Sequence, residues 1–399
     1  MKQIGCVLLL SGPMGSGHIA AAEAIRENFE KNHPGIGVVH VETSVWMPFY
    51  VRWIFLGLYP WILRHASWLW RVIHNRNNHS ARGIFPALLK ITSAPTKRRM
   101  LEAIEKNAAD LVIATHFYPA AILAGAKEEN ILHIPVCAVV TDHTAHRIYA
   151  EPVLDRIFVP NELSALRFES WGVPTENLRI TGCPVAGIFS RQFSEEERTA
   201  WKKELGLDQK RPYLLLTLGS WCIGNMEQVV RRLLGVHRDF GVIALTGCNE
   251  VLYRHLHTAE KRAKGRLRVY PYTHEMYKFM AISEYVVTKP GGITTSECIA
   301  MGKPMLLVDP IAGHEEKNQK YLVERGVAIA VGAGETIADA VSRMRQESSR
   351  LHENMRNFSP STAEAAGKIV RQSLDCAENY EECEKRVSPD WFTRLRRHF

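Results

Sequence analysis

The sequence predicts an α/β protein made of two doubly wound parallel-sheet units facing each other across a cleft. Short apolar runs alternate with amphipathic helical stretches along the chain, the pattern in which crossover helices cover a parallel sheet. A length of 399 residues suits two domains of ordinary size. Each half also carries a glycine-rich turn that follows an apolar run and opens a helix, where such folds bind ligands. With 46% hydrophobic and 23% charged residues, the chain has material for full cores. That excludes a stapled mini-protein, a disordered tail and a fibrous repeat.

The first apolar run, Ile4–Leu10, follows Lys2 and stops at Ser11-Gly12-Pro13. It is too short for a signal peptide's core and lacks a small-residue cleavage site, so it reads as a buried strand. Further strands are expected at 38–41, 111–115, 136–141 and 156–159. The second half adds 213–218, 242–246, 267–270, 285–288, 305–308 and 327–331. A helix is expected over 18–32. The Glu/Lys/Arg-rich segment 190–211, with a helical piece near 195–205, is the expected linker. It separates a first domain (1–189) from a second (212–358), and helices with a basic aromatic tail follow (359–399). No stretch of about 20 apolar residues occurs. The eight cysteines form no C-x-x-C pair, and several lie in strand-like runs, so they are expected as buried reduced thiols of a cytoplasmic protein.

Charge is concentrated. The net charge is +8, yet residues 43–101 contain no Asp or Glu and hold Arg52, Arg64, Arg71, Arg76, Arg82, Lys90, Lys97, Arg98 and Arg99. The same stretch has five of the nine tryptophans: Trp46, Trp53, Trp61, Trp68 and Trp70. At ~100° per residue, Trp46, Trp53, Trp61 and Trp68 fall within about 80° of one another, with Arg64 and Arg71 on the same stripe and Pro60 dividing it. As a core stripe this would bury two guanidinium groups with no acidic neighbour in sequence. At an anionic membrane surface, Trp rings sit at headgroup level and Arg side chains snorkel to phosphates. Peripheral contact with the inner face of the cell membrane is therefore the expectation. No RNA- or DNA-binding motif accompanies the charge, so nucleic acid is not an expected partner.

The first glycine loop, Gly12-Pro13-Met14-Gly15-Ser16-Gly17-His18, lacks the Lys-Ser/Thr of a P-loop, and Ala20 stands where a dinucleotide loop has its third glycine. Two readings stay open: a tight turn with a capping histidine, or a G-x-G-H loop that presents His18 to the cleft at a helix start. The second turn, Thr288-Lys289-Pro290-Gly291-Gly292-Ile293-Thr294-Thr295-Ser296-Glu297, offers bare amides and a helix N-terminus to a diphosphate. Glu297, one helical turn after Thr294, can accept two hydrogen bonds from a ribose. Downstream runs Asp309-Pro310-Ile311-Ala312-Gly313-His314-Glu315-Glu316-Lys317-Asn318.

The order of these motifs resembles the GT-B glycosyltransferases, in particular the monogalactosyldiacylglycerol synthases and processive diacylglycerol glucosyltransferases. These are related to the enzyme that adds N-acetylglucosamine to lipid I. Also similar are Val140-Thr141-Asp142 with His146 four residues on, Asp155 before Phe158-Val159, Gly182-Cys183-Pro184-Val185, Gly219-Ser220, Gly224-Asn225 and Gly247-Cys248-Asn249. The resemblance implies a UDP-sugar site on Gly219, Ser220, Asn225, Gly247, Gly291, Gly292, Thr294, Thr295 and Glu297, with the hexose near His314, Glu315 and Asn318. It places Gly15, Gly17 and His18 on the acceptor side; His146, and His116 at the end of another first-half strand, are expected there too. Three positions depart from the family: His314 where Gln is usual, His143 where an aromatic is usual, and Tyr149 where Trp is usual. No D-x-D motif occurs, so amides and helix dipole are expected to stabilise the leaving UDP, without a metal or other cofactor.

For the base that deprotonates the acceptor, His18 is the first candidate, because imidazole titrates near neutral pH. Asp142 is its partner or alternative, and His116 a third. The resemblance further implies inversion to a β-linked product, with diacylglycerol as acceptor. Rivals are an N-acetylglucosamine transferase acting on a polyprenyl or other lipid, a sugar-nucleotide epimerase, and a catalytically silent lipid-binding protein on the same fold.

Overall fold

The computed structural model describes residues 3–12, 15–66, 72, 84–236, 239–332 and 334–380. The first half runs β1 (Cys6–Ser11), α1 (Gly17–Asn32), β2 (Gly37–Glu42), α2 (Phe49–Trp53), α3 (Tyr59–His65), α4 (Ile84–Lys106), β3 (Leu111–Ala114), α5 (Phe117–Glu128), β4 (Val136–Val139), β5 (Arg156–Val159), α6 (Glu162–Ser170) and β6 (Leu178–Ile180). After α7 (Glu195–Glu204), the second half runs β7 (Tyr213–Thr217), α8 (Met226–Val236), β8 (Gly241–Leu245), α9 (Glu250–Arg262), β9 (Leu267–Tyr270), α10 (Met276–Ile282), β10 (Tyr285–Thr288), α11 (Gly292–Ala300), β11 (Met305–Leu307), α12 (His314–Glu324) and β12 (Ala328–Ala330). Three helices close the described chain: α13 (Ile337–Gln346), α14 (Ser348–Ala363) and α15 (Ala365–Glu378).

All described strand pairs are parallel. One sheet has the order β2-β1-β3-β4-β5-β6, the other β12-β11-β10-β7-β8-β9. Both are doubly wound, and their order reverses beside β1 in the first and between β7 and β10 in the second. At such switch points neighbouring loops diverge and leave a crevice at the carboxyl ends of the strands. Both glycine turns sit there. The expected strands are all present. The sequence reading missed β6, a three-residue edge strand in which only Leu178 is buried, too little to register as an apolar run.

Burial on both faces explains why the strands read as continuous apolar runs: Val7, Leu8, Leu9 and Leu10 are all inaccessible, as are Leu214, Leu215 and Leu216. The linker helix α7 starts in a capping box, with the Ser194 hydroxyl accepting from the Glu197 amide and the Glu197 carboxylate from the Ser194 amide. The last helix, α15, returns to the first sheet, where Ile369, Val370 and Leu374 pack with Ile25 and Phe29 of α1. Each such side chain contributes about 2 kcal/mol by burial. A buried ion pair, Lys127 Nζ to Asp155 Oδ2 at 2.6 Å, joins this seam, and Lys127 also donates to Tyr380 Oη at 2.9 Å.

The tryptophan segment is not one stripe. Trp46 ends a 3₁₀ turn and packs against the first core, because its turn lies under α4 instead of continuing into α2. Helix resumes at Phe49 and widens into a π turn at Ile54–Leu58, which admits Pro60 in the first turn of α3. Trp53 and Trp61 are each 55% exposed and Phe49 83% exposed. Trp68, Arg71 and the aromatic tail fall outside the described residues. No helix among those described is long and apolar enough to cross a membrane.

Candidate active site

The cleft between the sheets has a volume of about 730 Å³, within the range of roughly 300–1,000 Å³ usual for small-molecule sites. It is lined by Gly15 and Gly17 from the first half and by Gly219, Ser220, Gly247, Gly291, Gly292, Thr294, Glu297, His314 and Glu315 from the second. The sequence reading did not foresee Tyr59 and Leu63, which line it from α3, nor Trp221, whose ring lies 6.4 Å from that of Tyr59 across the cleft. Lys289, in the same turn as Gly291, also lines the cleft. It forms a buried pair with Glu315 at 3.5 Å, a contact between segments 26 positions apart that spacing does not reveal.

The two glycines of the second turn do different work. Gly291 lines the cleft, and a Cβ there would meet nothing within 4 Å among the described residues. At Gly292 a Cβ would lie 1.9 Å from the Thr141 carbonyl oxygen. Glycine there lets the backbone of the first half touch the start of α11. Gly247, at φ +58, serves a similar close approach to the Ser220 carbonyl. Ser220 Oγ in turn accepts from the Ser16 amide at 3.2 Å, tying the first glycine loop to the second half.

Glu297 is buried at the cleft wall, and burial alone pushes its carboxyl up to about 8. Among the described residues no donor offsets that burial, so donors supplied by a ligand would be well received there.

His18 stands at the head of α1 with Nδ1 2.8 Å from the Thr115 carbonyl oxygen and 3.1 Å from Thr141 Oγ1. A carbonyl only accepts, so Nδ1 carries the proton and Nε2 keeps its lone pair, the tautomer of a general base. Burial holds the imidazole below its ordinary value, against the upward pull of the Thr115 carbonyl and Asp142. His18 is therefore neutral at neutral pH. Burial would raise the Asp142 carboxyl, but His314, His146, the Asn318 amide and His18 outweigh it and hold Asp142 below the usual carboxylate range. His146 Nε2 lies 3.6 Å from Asp142 Oδ2, and the His146 and His314 rings are 5.7 Å apart.

Four expected site residues are placed elsewhere. His116 is wholly buried behind His18, its ring edge-on at 4.4 Å, where it caps α5 by accepting from the Tyr118 amide. Asn225 is exposed and caps α8, accepting from the Gln228 amide at 3.2 Å. Thr295 turns away from the cleft opening: its hydroxyl meets the Gly291 carbonyl at 2.7 Å and His143 Nε2 at 2.8 Å. Asn318 is fully buried and bonded to Asp142, Pro290 and Thr144. His143, which departs from the family's aromatic, still stacks on Tyr321 at 6.0 Å.

Two doubly wound sheets with their switch points turned to one cleft make the GT-B architecture. Comparison with known proteins narrows this. Residues 18–185 match the family model of monogalactosyldiacylglycerol (MGDG) synthase, and residues 219–370 that of the glycosyltransferase family 28 C-terminal domain. The chain is 24% identical over 358 residues to a processive diacylglycerol beta-glucosyltransferase of Staphylococcus saprophyticus, covering 86% of each. It is 25% identical over 385 residues to one of Bacillus cereus, covering 94% of each. Among solved structures, MurG of Acinetobacter baumannii superposes with a TM-score of 0.57 at 16% identity, over 93% of this chain and 99% of that one. The chain is a GT-B glycosyltransferase resembling the MGDG synthase and processive diacylglycerol glucosyltransferase family.

Proposed function

We propose that the enzyme transfers a hexose from a UDP-sugar to diacylglycerol at a membrane surface, inverting the anomeric centre to give a β-linked glycolipid. The observation that carries the donor half is Glu297, a buried carboxyl at the wall of the cleft, one helical turn beyond Thr294. Ribose hydroxyls supply the donors it lacks, while the Gly291 amide and the head of α11 face the diphosphate. In the transfer, the acceptor oxygen bonds to the anomeric carbon as the carbon–oxygen bond to the diphosphate breaks. That electron pair leaves with UDP, and the acceptor's proton passes to His18 Nε2. Asp142 stabilises the resulting imidazolium. Amides and helix dipole carry the leaving charge, with no cofactor assigned.

For the acceptor half, α3 is amphipathic across the cleft mouth. Tyr59 and Leu63 line the cavity while Trp61, with Trp53 and Phe49 beside it, is exposed. A lipid drawn from a bilayer would meet this apolar helix first and the reaction centre next. The relatives named as diacylglycerol glucosyltransferases supply the acceptor class. The test is thin-layer analysis of lipid products from radiolabelled UDP-glucose, UDP-galactose and UDP-N-acetylglucosamine with diacylglycerol vesicles. A labelled glycolipid from a UDP-hexose is expected. UDP release without labelled lipid, or labelling only of a polyprenyl acceptor, overturns the reading.

A further inference from the structure

We propose that Asn318 is a positioning residue that links the donor half to the base of the acceptor half, so that the base is complete only when the cleft is shut. The argument is an inventory of its amide. Nδ2 has two N–H groups, and both are spent: one on Asp142 Oδ1 at 2.9 Å, the other on the Pro290 carbonyl at 3.0 Å. Both partners only accept, which fixes which end of the amide is which. Oδ1 accepts from Thr144 Oγ1 at 3.1 Å. The side chain is fully buried and has no donor left for the hexose that the resemblance assigns to it. It stands on α12 of the second half and holds the loop after β4 in the first. Asp142 on that loop is the carboxylate that raises His18. The same seam is closed by His143 to Thr295 and by the backbone contact at Gly292.

The titratable groups facing Asp142 are His18, His146, His314, His143, Tyr59, Tyr149 and Cys183. Burial holds His143 down at about 4 and pushes Tyr59, Tyr149 and Cys183 up, the thiol to about 12, so these four stay neutral near pH 7. The Asn318 amide is a neutral donor that keeps the carboxylate aimed without competing for the proton.

The inference rests on the glycosyl-transfer reading only for the identity of the reaction. The test uses Asn318→Ala and Thr144→Val, the latter an isosteric change in the opposite half. Three quantities are measured: kcat, UDP affinity by calorimetry, and the His18 titration by NMR of histidine-labelled enzyme with UDP bound. For Asn318→Ala, kcat falls about 10- to 100-fold and UDP affinity stays within about twofold. The His18 titration moves to lower pH, because a loosened Asp142 no longer raises it. Thr144→Val moves the same two readouts in the same directions, with kcat down about threefold, and it decides the matter if the alanine variant does not fold. A loss of donor affinity of about tenfold or more, with kcat and the His18 titration unchanged, makes Asn318 a sugar ligand and overturns the proposal. So does a Thr144→Val enzyme indistinguishable from the parent. Because the titration is read with UDP alone, failure to glycosylate diacylglycerol would count against the acceptor and leave this inference standing.

Discussion

Alanine at position 292 asks whether the two halves act as one closed site. A Cβ there would lie 1.9 Å from the Thr141 carbonyl oxygen and 2.8 Å from the Asp142 Cα. Both are main-chain atoms, with no flexible side-chain end to swing aside. Heavy atoms do not rest closer than 3.0 Å to a Cβ, so the seam must open by roughly 1 Å in a close-packed interior. The bonds crossing it, His143 to Thr295 at 2.8 Å and Asn318 to Asp142 at 2.9 Å, would lengthen to nearly 4 Å, beyond hydrogen-bond reach. A displacement of about 1 Å at a reaction centre costs about 100-fold in rate, or about 2.7 kcal/mol of barrier. Gly291→Ala is the control: among the described residues nothing lies within 4 Å of that Cβ, and its φ of −72° is ordinary. Initial rates at saturating substrates and calorimetric UDP affinity separate the two. Gly292→Ala should lose about 100-fold in kcat while UDP affinity stays within about threefold, whereas Gly291→Ala should lose mainly UDP affinity. A Gly292→Ala enzyme turning over within about threefold of the parent would refute the closed-seam argument.

Three further predictions follow from the same geometry. The Glu297 carboxyl, pushed up to about 8, is largely protonated at pH 7. Ribose hydroxyls favour its ionised form, so UDP binding should release a proton and tighten as pH rises from 6 to 8. Calorimetry in buffers of different ionisation enthalpy reads this directly, and Glu297→Gln should abolish the pH dependence and weaken UDP about 10- to 100-fold. His18, held below its ordinary 6.5, must be neutral to accept a proton, so the acid limb of kcat/KM should lie below that value, and His18→Ala should lose about 10²- to 10⁴-fold in kcat. Turnover of that variant within about tenfold would show that His18 is not the base. Replacing Phe49, Trp53 and Trp61 together by serine should weaken binding to anionic vesicles about 100-fold, at about 1 kcal/mol for each exposed ring. Flotation unchanged by the triple substitution would place the lipid contact elsewhere.

Both sheets, and the halves they define, were legible in the chain because strands buried on both faces must be apolar throughout, and glycine turns at switch points leave a local signature. That Glu297 borders the cleft was legible for the same reason, since it lies one helical turn after Thr294 on the helix that the glycine pair opens. Trp46, His116, Asn225 and Thr295 were not, since a cap, a core ring and a cleft ligand use the same residue types, and only their neighbours in space distinguish them. Local periodicity and composition thus determined the fold class, the two glycine turns that border the cleft and the greasy cationic segment. Tertiary structure alone decided that Gly292 admits a carbonyl from the other half, that Asn318 spends its amide on Asp142, and that α15 returns to the first sheet. Each of these depends on a contact between segments far apart in sequence, whose partner no spacing in the chain can name.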